Sequence, residues 1–135
     1  MSFKEYLKEV NDVKISGVTI NWLKNWQWNK HVEFPSDDII EELKVYAPKK
    51  NILELYRYID FDDIANEKSK KLRSYTKNKD MVLNFIEFED PMRGYIEVWY
   101  GVPADKILID LSLLPSKYLK MIDHAEMNEV IVIGY

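Results

Sequence analysis

ILELYRYI, residues 52–59, is where this chain changes character. Polar and apolar side chains alternate there and large β-favouring residues dominate, so the spacing predicts a strand. Upstream the pattern is helical. Phe3, Tyr6, Leu7 and Val10 share one face over residues 3–10, and Val18, Trp22 and Trp26 recur at helical spacing over 18–28. Pro35 and Ser36 before Asp37 and Asp38 mark a helix start, since a hydroxyl and two acids suit the exposed N–H groups of a first turn. Ile39, Ile40, Leu43 and Tyr46 supply its buried stripe, and Pro48 ends it. Downstream, strands dominate: 72–76, 94–102, 106–111 and 128–134. Between them, Asp62 and Asp63 open a short polar helix, residues 78–86 form a helix with Val82, Phe85 and Ile86 inward, and a short helix follows Pro115. The tail Val130–Ile133 is apolar on both faces and predicts a central strand. Helices first and strands later give an α+β class: N-terminal helices packed on a mixed, mainly antiparallel β-sheet.

The chain has 135 residues, enough for one domain, and 47% apolar residues, enough for a real core. It contains no cysteine, which excludes disulfides, thiolate metal sites and cysteine nucleophiles. The opening MSFKEYLKEV carries charge where a secretion signal needs an apolar stretch, and no apolar run reaches the length of a membrane span. A cytoplasmic location is expected. The formal net charge of −4 argues against nucleic acid as a partner, because phosphate binding needs a basic excess. Lysine outnumbers arginine sixteen to three, so each arginine invites a question.

Arg57 raises it first. It stands between Tyr56 and Tyr58 in an apolar strand, and its planar fork can meet a phosphate or carboxylate as an ammonium cannot. The plainer alternative is a structural ion pair. Glu129 opens the C-terminal apolar run, where a carboxylate has to be paired, hydrogen-bonded or in water. Ser74, Tyr75 and Thr76 lie on a short strand before a helix. Strand alternation puts Ser74 and Thr76 on one face and Tyr75 on the other, so the hydroxyls can brace a neighbouring carboxylate or cap the helix.

In this order, the three elements resemble the ADP-ribosyltransferases of the arginine–serine–glutamate class, which include small bacterial toxins and phage-encoded enzymes. Leu55-Tyr56-Arg57 is similar to the family's aromatic–arginine strand, and Ser74-Tyr75-Thr76 to its Ser-x-Thr strand, with Phe85 on the helix beyond. Glu129-Val130-Ile131-Val132 is similar to its glutamate strand, and Gly101-Val102-Pro103 before Ile107–Asp110 to its valine–proline step. The resemblance covers about 80 residues, 52–135. It implies a mono-ADP-ribosyltransferase that takes NAD as substrate and an unidentified protein target as acceptor. It implies Glu129, Arg57 and Ser74 as catalytic residues, and Arg57, Tyr58, Ser74, Tyr75, Thr76 and Phe85 as NAD-binding ones. Tyr58 stands where the family has glycine. Met127 stands where arginine-modifying members have Glu or Gln, which points to an acceptor other than arginine. The interval from Arg57 to Ser74 is short for the family.

Other constellations are weaker. His31 and His124 carry no motif, so no metal site is expected. Asp60, Asp62 and Asp63 suit a helix start better than a metal. Trp22, Trp26 and Trp28 suit a core or a docking face. A binding protein that keeps the fold without catalysis stays open beside the enzyme, as does an unrelated α+β domain.

Overall fold

The computed structural model describes residues 15–28, 32–67, 70–88, 93–122, 126 and 128–134, the side chains of 85–88 excepted. The helix expected over 3–10 lies outside the described residues, as do His31, His124 and Met127 and the side chains of Phe85 and Ile86.

Among the described residues of the N-terminal half there are two helices, α1 (Gly17–Trp28) and α2 (Asp37–Lys44). α1 buries Ile20, Trp22, Leu23 and Trp26 along one stripe. Its N-terminus is closed by α2, because Glu42 accepts from the Ser16 N–H and hydroxyl, each at 2.8 Å, and from the Thr19 hydroxyl. Burial pushes the Glu42 carboxyl up, but the bonds from Thr19 and Ser16 outweigh it and hold the group below its ordinary value. α2 begins at Ser36, whose hydroxyl accepts from the Ile39 N–H at 3.4 Å, and buries Ile39 and Leu43.

Five strands follow, interrupted by short helices. They are β1 (Ile52–Asp60), β2 (Leu72–Thr76), β3 (Gly94–Val102), β4 (Ile107–Asp110) and β5 (Glu129–Ile133). Between β1 and β2 lie a 3₁₀ turn, Phe61–Asp63, and the one-turn α3 (Ile64–Glu67). Asp60 caps that turn by accepting from the Asp62 N–H at 2.8 Å, so the acidic cluster acts at a helix start, as its sequence predicts. α4 (Lys79–Phe88) and α5 (Ser116–Leu119) match the remaining helical segments.

The sheet order is β3-β1-β2-β5-β4, and every described pairing is antiparallel rather than mixed. β5 lies between β2 and β4, the interior place its apolar sequence predicts. Each face of the sheet has its own core. One gathers Trp22, Leu23, Trp26 and Leu43 from the helices with Leu72, Ile109 and Ile131 from the strands. The other draws on all five strands: Leu55, Tyr75, Val102, Ile107, Val130 and Val132. Each fully buried aliphatic side chain contributes about 2 kcal/mol.

The joint between β1 and β2 departs from a regular sheet. β2 runs beside β5 through five residue pairs, from Leu72 opposite Ile133 to Thr76 opposite Glu129. β1 meets β2 at one pair, Tyr56 opposite Thr76. Beyond it the guanidinium of Arg57 donates to the Ser74 carbonyl at 2.7 Å, so a side chain takes a bond that a ladder would otherwise supply. The sheet opens there, and the cleft lies at that opening.

Candidate active site

A cleft of about 390 Å³ is walled by β1, β2, α4, the end of α1 and the start of β5. Arg57, Ser74 and Glu129 all line it, as do Tyr56, Tyr58, Tyr75 and Thr76 from the strands, Met81 and Val82 from α4, Gln27 from α1, and Glu126. Residues 57, 74 and 129 reach one place because β1, β2 and β5 are neighbours in the sheet, although 72 positions separate the first from the last.

Glu129 is the first residue of β5 and is buried, at 5% exposure. Uncharged groups among the described residues donate to it: the Ser74 hydroxyl and the Trp26 indole to Oε2, the latter at 3.1 Å, and the Gln27 amide to Oε1 at 2.6 Å. Ser74 can reach because antiparallel register puts its side chain on the same sheet face as that of Glu129. The bond between them is the brace that strand alternation predicts. Thr76 plays the other part: its hydroxyl accepts from the Asn78 N–H at 3.1 Å, and Asn78 in turn accepts from the Asp80 N–H at 3.1 Å, turning the chain into α4.

Arg57 is held differently. Its Nε and Nη2 donate to the two oxygens of Glu67, at 2.5 and 3.1 Å, and Nη1 donates to the Ser74 carbonyl. Three of its five N–H groups are thereby engaged. Glu67 also meets Lys70 at 3.3 Å and the buried Arg73 at 3.7 Å. Burial raises the Glu67 carboxyl, but the bonds and charges of Arg57 and Lys70 prevail and hold it below its ordinary value. The fork in an apolar strand has therefore found a carboxylate of its own chain.

Tyr75 points away from Ser74 into the all-strand core, with its hydroxyl donating to Glu97 at 2.9 Å and its ring 5.9 Å from the Arg57 guanidinium carbon. Tyr58 lies over Gly94, where an added Cβ would come within 2.6 Å of its ring. Gly94 stands across the ladder, two residue pairs along from Tyr58, and gives the ring its room. Trp22 and Trp26 are core residues stacked at 5.7 Å, whereas Trp28 is 70% exposed.

Sequence reasoning passed over Glu67, Trp26 and Gln27 as site residues. A buried arginine calls for a buried acid, which is the signal that could have found Glu67. No signal of that kind marks Gln27. Among the described residues, no group of acids and histidines could hold a metal, and no helix is long and apolar enough to cross a membrane.

No known family model, curated protein or solved structure matches this chain. Its own geometry has to carry the functional reading.

Proposed function

We propose that this chain is an NAD-consuming mono-ADP-ribosyltransferase acting on a protein or other macromolecular target. The observation that supports the proposal is that Glu129, Ser74 and Arg57, from three neighbouring strands, all line one cleft, with Ser74 bonded to Glu129.

The chemistry is a substitution at the ribose carbon of NAD. Nicotinamide departs with the electron pair of the glycosidic bond, positive charge spreads over the ribose carbon and ring oxygen, and an acceptor nucleophile forms the new bond and releases its proton. Nicotinamide is a good leaving group, so the protein has chiefly to orient the sugar and steady the cation. Glu129 does both by accepting from a ribose hydroxyl and placing negative charge beside the carbon. Ser74 holds the carboxylate to that task. Tyr56, Tyr58, Met81 and Val82 offer an apolar wall for the nicotinamide ring, and Arg57 fixes the opening between β1 and β2 while turning its remaining N–H groups to the dinucleotide. A volume of about 390 Å³ suits the nicotinamide-ribose half of NAD better than the whole molecule.

Arginine is not the proposed acceptor. Met127 cannot accept the strong hydrogen bonds that a target guanidinium requires. Incubation of the purified protein with NAD, alone and with cell lysate, tests the proposal. Nicotinamide release and an ADP-ribosylated side chain other than arginine, located by mass spectrometry, are expected. Labelling confined to arginine would overturn the acceptor assignment.

A second reading is favoured by the closure of the two charged groups: Glu129 is buried and bonded by Ser74, Trp26 and Gln27, and Arg57 is paired to Glu67. A binding protein that keeps this cleft without turnover would look the same. Absence of nicotinamide release under every condition, with NAD still bound, would select it.

A further inference from the structure

The resemblance to a known family begins at residue 52, yet two donors to Glu129 come from α1, over one hundred positions earlier. Successive residues on a helix point about 100° apart, so Trp26 and Gln27 approach the carboxylate from different sides. Trp26 comes from the core. It is 1% exposed, stacks on Trp22 and has little freedom to move. Gln27 comes from the cleft, which it lines, and its bond goes to Oε1 while those of Trp26 and Ser74 go to Oε2. A carboxylate held at one oxygen can still turn about that point. A donor at the other oxygen sets the plane. The far end of the same helix is pinned to Glu42, which fixes where Gln27 stands along the helix axis.

We infer that Gln27 is a positioning residue for Glu129: α1 completes the carboxylate site, and its amide sets the plane in which Glu129 meets the ribose. The inference rests on Glu129 as the group that faces the sugar. Gln27 is partly exposed and makes a bond that methionine cannot, so Gln27→Met removes the donor with little change in length or packing.

Two readouts separate positioning from a passive surface contact. The first is steady-state nicotinamide release. A carboxylate that is present but turned acts less well on bound substrate, so Gln27→Met should lower kcat about tenfold or more with the KM for NAD within about twofold. The second needs no turnover: the indole N–H resonance of Trp26, identified by its loss in Trp26→Phe, reports its bond to the same carboxylate. It should shift in Gln27→Met and in Gln27→Ala. A kcat within twofold of the parent, or an unmoved indole resonance in both variants, would overturn the inference. If the parent releases no nicotinamide, the NAD proposal is what fails, and the indole resonance alone decides whether Gln27 sets Glu129.

Discussion

The two charged ends of the cleft are held by opposite means. Glu129 is held by neutral donors, an indole, an amide and a hydroxyl, whereas Arg57 is held by a countercharge, Glu67. Neutral donors orient a carboxylate and leave its charge in place. Glu67 is shared among Arg57, Lys70 and Arg73, so it offsets only part of the positive charge gathered there. The two ends therefore differ in what holds the charged group: neutral donors at Glu129, and at Arg57 a countercharge shared with Lys70 and Arg73. The same contrast divides labour. In the proposed reaction, the Arg57–Glu67 pair holds the opening between β1 and β2 and the Glu129 cluster does the chemistry.

Removing Glu67 should break the Arg57 end most severely. Glu67→Ala takes the shared carboxylate from Arg57 and Arg73 and should cost about 3 kcal/mol of folding stability in denaturant unfolding. The pH dependence follows from the depressed carboxyl. A group whose folded pKa lies below its unfolded one contributes stability that is full above the ordinary value of 4.5 and is lost as pH falls through the folded value. The parent should lose stability over that acid window by a step that Glu67→Ala lacks. Equal stability and equal acid profiles in the two proteins would mean that the pair does not hold the opening.

At the other end, the expected effect is smaller in stability and visible in rate. Ser74→Ala removes one donor from Glu129, so kcat for nicotinamide release should fall about tenfold while stability changes by about 1 kcal/mol. A large stability loss with unchanged kcat would reverse the division of labour between the two ends.

Much of this architecture is written locally. β1, β2 and β5 are legible because alternation or a short apolar run between polar residues needs no knowledge of what lies opposite, and Ser36 and Asp60 cap as their positions suggest. The pairing pattern is less legible. That every described pairing is antiparallel, and that β1 and β2 part after one residue pair, depends on contacts made after the strands exist. The site divides likewise. Arg57, Ser74 and Glu129 stand out by residue type in an unusual setting, such as an arginine in an apolar strand of a lysine-rich chain. Glu67 is one acid among 23, on a single helical turn, and only folding shows that it sits beneath Arg57. Gln27 carries no mark at all. Trp26 was legible as core, and its indole N–H found the buried acceptor that a core tryptophan needs.

The central claim is that Glu129 supplies the negative charge that NAD cleavage requires. Nicotinamide release should therefore be measured for the parent and for Glu129→Gln, with NAD binding followed in parallel by thermal shift. An amide keeps the size and one acceptor oxygen but loses the charge, so the variant should still bind NAD and release nicotinamide at least about a hundredfold more slowly. Equal rates in the two proteins would contradict the account.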